Sequence, residues 1–561
     1  MTAWRAGLWP RDPAEAAAQT AGGWSVEALA LAVLALLVAV ANLPFWQHAL
    51  AGRDPAAPAT WRFMLGTGLF MLWIHALPLL LLLTRASVRP VLAVLIVCSF
   101  VAQDLMRRYG VVLDPTMMRN ALRTDGREAS ELLTAGTLAS AAAALVVVAL
   151  MWRLPLRRLS WRRALARRLL VILGVSVAGA GGLLMVFQDL SSTLRNAKEL
   201  RYLVTPGNLL YSTGRVLASD LQQGQRPAEP LQPVRLAAHG GKPRLLVVVV
   251  GETARAMNFS LNGYARPTNP ALAALPVINF PLTQACGSST EVSLPCMFSS
   301  YGRAGYDEGR IRASESLVQM LARAGLQVAW LDNQSGCKGV CDGVPFEDLT
   351  SGADAALCPD GRCFDGILVE GLKRLVDARR GAAAGDMVVL LHQLGNHGPA
   401  YAKRHPREFA RFMPECTQAE LRDCSREEIV NAYDNALLYT DHLLAELISL
   451  LREQQDRYDV GMVYVSDHGE SLGEKGLYLH GMPYAIAPAE QLSVPMIWWL
   501  GDAQPDRWRG LDEACMRRRA ALPSHHDNLF HSLLGLLGVE SPRYIAGRDL
   551  TAGCRGAHGG G

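Results

Sequence analysis

Charge is scarce and of no single sign: 19% of the 561 residues are charged, and 55 Lys and Arg stand against 51 Asp and Glu, a net of +4. A chain whose main partner is a nucleic-acid backbone carries a clear basic excess, so that class drops out. Cysteine is nearly missing from the first half, where Cys98 is the only one before Cys286, and no C-x-x-C knuckle occurs anywhere. Zinc ribbons built on paired knuckles are therefore excluded. What the chain has instead is apolar: half of it is hydrophobic, and the mean hydropathy is +0.13. Intrinsic disorder is excluded and a membrane-embedded part is expected, in a chain long enough for several folding units.

The apolar residues concentrate at the front, in Ala28–Trp46, Phe63–Thr84, Pro90–Gln103, Leu132–Trp152 and Leu169–Gln188. Four reach the roughly 20 residues needed to cross a bilayer; the third is shorter and also fits a buried helix. We count five spans, with the first read as an uncleaved anchor. Arg153, Arg157, Arg158, Arg162, Arg163, Arg167 and Arg168 fill the loop before the last span without one acidic residue. That loop is expected in the cytoplasm, which sends everything after Asp189 to the other side of the membrane.

Cysteine usage tests this topology independently. Ten of the 11 cysteines lie after residue 285, and eight form close couples: Cys286/Cys296, Cys337/Cys341, Cys358/Cys363 and Cys416/Cys424, leaving Cys515 and Cys554 as the remaining pair. Close couples also serve zinc, but without knuckles they read as disulfides of an oxidising compartment.

From about Pro243 short apolar runs (Leu245–Val250, Val328–Leu331, Met387–Leu391, Met462–Val465, Met496–Leu500) alternate with helical stretches (Ser314–Ala324, Gly366–Arg379, Glu427–Arg452). This pattern predicts an α/β domain with a mostly parallel sheet, whose ligands bind beyond the carboxyl ends of the strands. Those ends run into Glu252, into Asp332-Asn333, into the stretch from His392 to Gly398, and into Ser466-Asp467-His468-Gly469-Glu470. Singly, each is more often a cap or a surface residue. Together Glu252, Asp467 and His468 offer oxygen and nitrogen ligands suited to zinc or a related divalent ion, and His397 and His480 are placed to hold a second ion or a phosphate. The segment from Cys286 to Cys296 supplies hydroxyls that a neighbouring cation would activate. If Thr290 opens a helix, its free N–H groups favour a phosphate there.

Four strings, VVGETAR from Val249, CGSSTEVSLPCMFSSY from Cys286, HQLGNHGPAY from His392 and SDHGESLGEKGLYLHGMPY from Ser466, resemble the lipid A phosphoethanolamine transferases. That family includes the mobile colistin-resistance enzymes and belongs to the alkaline phosphatase-like superfamily. The resemblance spans nearly the whole chain. It implies an alkaline phosphatase/sulfatase-like catalytic domain behind an α-helical membrane domain. It further implies a zinc set of Glu252, Thr290, Asp467 and His468 with Thr290 as nucleophile, a second zinc or the substrate phosphate on His397, His480 and Lys338, and a donor headgroup site at Asn120, Thr124 and Glu128. The i, i+4, i+8 spacing of that trio gives one helix face, which without the resemblance reads as a solvated surface.

The activity implied is transfer of phosphoethanolamine from phosphatidylethanolamine to lipid A through a phosphorylated threonine, conferring resistance to polymyxins. The implied location is the bacterial inner membrane, multi-pass, with residues 243–561 periplasmic, 1–190 membrane-embedded and 191–242 bridging. No nucleic-acid partner and a monomeric chain are expected. Rival readings are transfer to an inner-core sugar of lipopolysaccharide, a phosphoglycerol transferase of the same fold, or a non-catalytic membrane sensor. A sulfatase is disfavoured because no Cys-x-Pro-x-Arg run occurs. Two positions depart from the family pattern: Ser288 stands where Thr is common, and Glu291 where a small residue is usual. A carboxylate beside a phosphorylated Thr repels negative charge unless it points away or binds metal.

Overall fold

The computed structural model describes residues 23–555 except 125, 226, 227, 353, 380–384, 419, 502–507 and 509. The chain forms two compact units: residues up to 114 with 134–214, and 115–133 with everything from 215 onward. Residues 115–133, which lie in sequence between the helices Val88–Tyr109 and Ala135–Arg153, thus belong to the second unit.

The first unit is helical. Pro58–Leu82, Val88–Tyr109, Ala135–Arg153 and Trp161–Asn196 are each long and apolar enough to cross a membrane, and the bent pair Val26–Val40 and Leu43–Ala49 makes up to five. The bend of 52° has a local cause: buried Asn42 donates to the Leu37 carbonyl at 2.8 Å, and Pro44 sits in the first turn of the next helix, Leu43–Ala49, where its missing N–H costs nothing. Val88–Tyr109 outruns its apolar core because Asp104 pairs with Arg108 one turn on, at 2.7 Å, neutralising both on one face. Helices Pro58–Leu82 and Trp161–Asn196 meet along glycines. A Cβ on Gly66 would sit 2.7 Å from the Gly182 carbonyl, and one on Gly182 2.8 Å from that of Gly66. Where lipid removes the hydrophobic drive between helices, such close backbone approach supplies the packing. At the arginine-rich end, Arg168 donates to the Leu83 carbonyl at 2.7 Å and Arg89 to that of Leu154 at 2.6 Å, closing two helix C-termini.

The second unit is built on eight strands: β1 (Arg244–Gly251), β2 (Ile278–Gln284), β3 (Gln327–Asp332), β4 (Phe346–Asp348), β5 (Met387–His392), β6 (Asp459–Ser466), β7 (Ser493–Trp499) and β8 (Ser524–His525). Their order is β8-β2-β7-β6-β1-β5-β3-β4, with β6, β1, β5, β3 and β4 mutually parallel and β7 antiparallel to both neighbours. The central strands are buried throughout, which explains their unbroken Val and Leu runs. Two apolar clusters, one on each face of the sheet, form the core, with Arg426–Arg452 on one side and Asp527–Leu537 on the other.

All five strands expected from the sequence are present; β2, β4 and β8 were not foreseen. β2 contains Pro281, which argues against a strand interior. It is tolerated because the register against β7 slips there: Val494 faces Thr283 while Met496 faces Phe280. The extra β2 residue is a bulge, where proline's missing donor goes unasked.

Five disulfides join Cys286–Cys296, Cys337–Cys341, Cys358–Cys363, Cys416–Cys424 and Cys515–Cys554. Cys98 is free. Their separations run from 4 residues for Cys337–Cys341 to 39 for Cys515–Cys554. On the chain-entropy account the longest loop stabilises by about 4 kcal/mol and the shortest by about 2. The double Ser variant at Cys515 and Cys554 is therefore expected to lower the midpoint of thermal unfolding more than the one at Cys337 and Cys341, as differential scanning fluorimetry of the full chain in detergent would register; equal shifts would refute the ranking.

Candidate functional site

Adjacent parallel strands β1 and β6 run in register, with Gly251 opposite Ser466. The next residue of each is an acid, so Glu252 and Asp467 leave the sheet side by side. His468 follows, and ligand atoms of Glu252, Asp467 and His468 all lie within 4.8 Å of one another, every one buried. Thr290 is the first residue of helix Thr290–Met297. Its hydroxyl lies 3.0 Å from Glu252 Oε2 and 3.3 Å from His468 Nε2.

The histidine is oriented for a cation. Its Nδ1 stands 2.8 Å from the Gly469 carbonyl, which can only accept, so Nδ1 carries the hydrogen and Nε2 turns a lone pair to the cluster. That lone pair stands 3.3 Å from Glu252 Oε1 and 3.4 Å from Asp467 Oδ2, an arrangement that repels unless something positive sits between. Without a metal a proton does so. Burial alone would lower His468, but the Asp467 charge and the Glu252 hydrogen bond raise it to about 10. Burial would raise Glu252, yet the bond and charge of His468 and the charges of His397 and His480 hold it well below the usual carboxylate range. Burial and the Glu252 charge keep Asp467 above it. Two carboxylates and one imidazole competing for a single positive charge are a donor set that fits a zinc-type ion.

Around this cluster lies a small cleft of about 50 Å3 lined by Thr290, Lys338, His397, His480, Asn120 and Thr124, with Gln334 and Ser335 between them. The structure therefore brings together all but one of the residues singled out from the sequence. The side chain of Glu128 lies outside the described residues. The Lys338 ammonium donates to the Ser335 hydroxyl at 2.8 Å. The rings of His468 and His480 are 4.3 Å apart between centroids, and His480 Nδ1 is 3.3 Å from Glu470 Oε1.

Several supporting residues gave no signal in the sequence. Gln334 donates to Glu252 Oε2 at 2.8 Å. Asp365 accepts from the backbone N–H groups of Leu394 and Gly395 and from Asn333, bracing the loop that carries His397. Gly395 has φ of +52°, and a Cβ there would sit 2.7 Å from the Glu252 carbonyl, so both torsion and space require glycine. His526 accepts from the Cys286 N–H at 3.1 Å and holds the Ser466 carbonyl at 2.9 Å, tying the loop that carries Thr290 to the end of β6. Burial and the His525 charge push it down to about 3, so it serves as a neutral bridge.

The Glu291 carboxylate beside Thr290 is paired with arginines. It accepts from Arg312 at 2.6 Å and pairs with Arg123. Arg312 also reaches Glu308 at 3.0 Å and the carbonyls of Lys338 and Glu291, each at 3.4 Å, while Arg119 pairs with Glu308. On the far side Glu131 pairs with Arg362 and Arg404, and Arg404 donates to the His397 carbonyl at 2.6 Å.

A parallel α/β sheet presenting a metal-ready acid pair and a buried hydroxyl defines a sulfatase-like group-transfer enzyme, and the Sulfatase family model matches residues 244–539. The model for phosphoethanolamine transferase EptA/EptB matches 71–221. Phosphoethanolamine transferase EptA of Escherichia coli K12 is 38% identical over 83% of this chain and 86% of its own. Phosphatidylethanolamine transferase Mcr-1 of Escherichia coli is 41% identical over 74% and 79%. The structure of the integral membrane lipooligosaccharide phosphoethanolamine transferase A of Neisseria meningitidis superposes with a TM-score of 0.87 at 32% identity, covering 93% of this chain and 98% of that one. The chain belongs to the phosphoethanolamine transferase family and is an enzyme of that class.

Arg312 makes a testable link between the two loops that flank Thr290. Arg312→Met keeps the volume and removes the ties to Glu291, Glu308 and the Lys338 carbonyl; it is expected to lower kcat/KM by roughly tenfold, the loss of about one charged hydrogen bond, while bound metal measured by atomic emission stays at the wild-type level. Unchanged kinetics would show that the link has no part in holding the site.

Proposed function

We propose that the chain moves phosphoethanolamine from phosphatidylethanolamine to lipid A, through a covalent intermediate on Thr290, at a zinc site made by Glu252, Thr290, Asp467 and His468. The observation that carries the reading is the Thr290 hydroxyl, buried at a helix N-terminus within 3.0 Å and 3.3 Å of two metal-ready side chains. Zinc bound there would supply Lewis acidity, polarising a phosphoryl oxygen and easing loss of the Thr290 proton.

The residues of the chain do the rest. Glu252 accepts the Thr290 hydrogen bond, which fixes Oγ1 with a lone pair free for phosphorus. The Oγ1–P bond forms as the bond from phosphorus to the diacylglycerol oxygen breaks, and the proton released by Thr290 balances the diacylglycerol hydroxyl. An oxygen of a lipid A phosphate then attacks phosphorus, and Oγ1 leaves and regains a proton. Lys338, His397 and His480, which line the same cleft, offset charge on the phosphoryl oxygens, and helix N–H groups at Thr290 add to this. Asn120 and Thr124, also on the cleft, are the donor-headgroup contacts, and Glu128 completes that trio by sequence. A second zinc, where one binds, belongs to His397 and His480.

On this reading the cleft-bearing unit faces the periplasm and the helical unit spans the inner membrane, a topology that the arginine-rich loop and the disulfides support. Adding an amine to a lipid A phosphate reduces the negative surface that draws cationic peptides, hence polymyxin resistance. Intact mass spectrometry of the metal-loaded chain with phosphatidylethanolamine is expected to show a phosphoethanolamine adduct on Thr290 that lipid A discharges. Thr290→Ala removes the adduct and keeps the metal, whereas Asp467→Ala loses both. Turnover by metal-replete Thr290→Ala would overturn the covalent route, and an adduct that only core oligosaccharide discharges would move the acceptor.

A further inference from the structure

The helical unit holds a cavity of about 340 Å3 that the reaction above does not use. Its walls are apolar, with Phe45, Phe70, Met71, Ile74, Leu190 and Leu194, and its size falls at the small end of the roughly 300–1,000 Å3 range of pockets for organic ligands. Two polar atoms in its lining have no hydrogen-bond partner: Thr67 Oγ1 and His75 Nε2. Both residues are deeply buried, at 1% and 5% exposure. A buried polar atom left unpaired costs about 1–3 kcal/mol, and two such atoms on residues that line one apolar cavity mark a place for a ligand that satisfies them.

The chemistry of the ligand follows from the ring. His75 Nδ1 lies 2.7 Å from the Met71 carbonyl, which only accepts, so Nδ1 bears the hydrogen and Nε2 offers a lone pair. The ligand must bring a donor. Gly207, which also lines the cavity, packs directly against that buried nitrogen, and a Cβ there would stand 2.7 Å from Nε2. A cationic donor in this lining would bury an unpaired charge, at a cost far above that of a neutral hydroxyl. Arg201, exposed at the cavity, adds a guanidinium suited to ester oxygens.

We propose that this cavity binds a diacylglycerol, with one acyl chain along the apolar walls, its free hydroxyl donating to His75 Nε2 and the Thr67 hydroxyl donating to an ester carbonyl. Diacylglycerol is the leaving group of the reaction proposed above, and only its role as product rests on that reading; the binding does not. The cavity then gives the departing two-chain alcohol a place within the helical unit.

Native mass spectrometry of the full chain in detergent, with dioctanoylglycerol and short-chain phosphatidylethanolamine added separately, tests this. Wild type is expected to retain one dioctanoylglycerol, and His75→Leu and Gly207→Ala to weaken retention by about tenfold, the loss of roughly one hydrogen bond. Thr67→Val, nearly isosteric and safe for folding, is expected to weaken it less. Retention by Thr290→Ala at the wild-type level would separate lipid binding from transfer and support the site even if the acceptor were wrong. Equal retention by wild type and all three cavity variants would overturn it, as would tighter retention of phosphatidylethanolamine than of dioctanoylglycerol.

Discussion

Two carboxylates placed side by side in a dry pocket set the terms for the whole catalytic unit. The in-register pairing of Gly251 with Ser466 leaves Glu252 and Asp467 no separate exits, and burial removes the water that would screen them. Such a pair is stable only with a positive charge between its members. His468 stands as the third member of the cluster, and its backbone bond to Gly469 keeps the lone pair on the cluster side. The surrounding loops are then shaped by what must approach this charge: Gly395 because nothing larger fits against the Glu252 carbonyl, Gln334 because Glu252 has an oxygen to spare, and Thr290 because its hydroxyl is held between Glu252 and His468.

The segment 115–133 shows how the same logic extends outward. It lies in sequence between two apolar helices yet packs within the catalytic unit, fastened by ion pairs on both flanks of the cleft: Arg119 and Arg123 to Glu308 and Glu291, and Glu131 to Arg362 and Arg404. Exposed ion pairs contribute little, but these engage Glu291 and Arg404 side chains that are almost fully buried, where breaking a pair is costly. Glu291, a carboxylate in the first turn of the helix that Thr290 opens, is one anchor of this arrangement. Its charge is offset by two arginines, Arg123 and Arg312.

What could be read from the sequence depended on whether the physics was local. Apolar runs gave β1, β3, β5, β6 and β7, because strands buried on both faces must be apolar along their length. The helix through Val88–Tyr109 was underestimated because its polar end pairs with itself through Asp104 and Arg108. β2 was missed because the bulge that admits Pro281 exists only once β7 lies beside it. At the site, the motif strings contain Glu252, Thr290, His397, Asp467, His468 and His480, while Lys338, Asn120 and Thr124 on the same cleft come only from the resemblance. Arg312, Asp365 and His526 stayed hidden, since each acts by joining loops distant in sequence, and no spacing encodes that.

Disulfides complete the account of how loops are held against like charges. Cys286–Cys296 closes the stretch that contains Thr290, Cys337–Cys341 the turn that contains Lys338, and Cys358–Cys363 ends two residues before Asp365. A loop that must gather carboxylates, imidazoles and a lysine at one rim has little apolar surface to fix it, because its side chains are committed to the cleft. Cross-links supply the restraint without occupying the site, by narrowing what the loop can do when it is not folded. Such a solution works only where thiols are oxidised. The assembly of the site and the compartment in which it acts are in this way one constraint, written in the same cysteines.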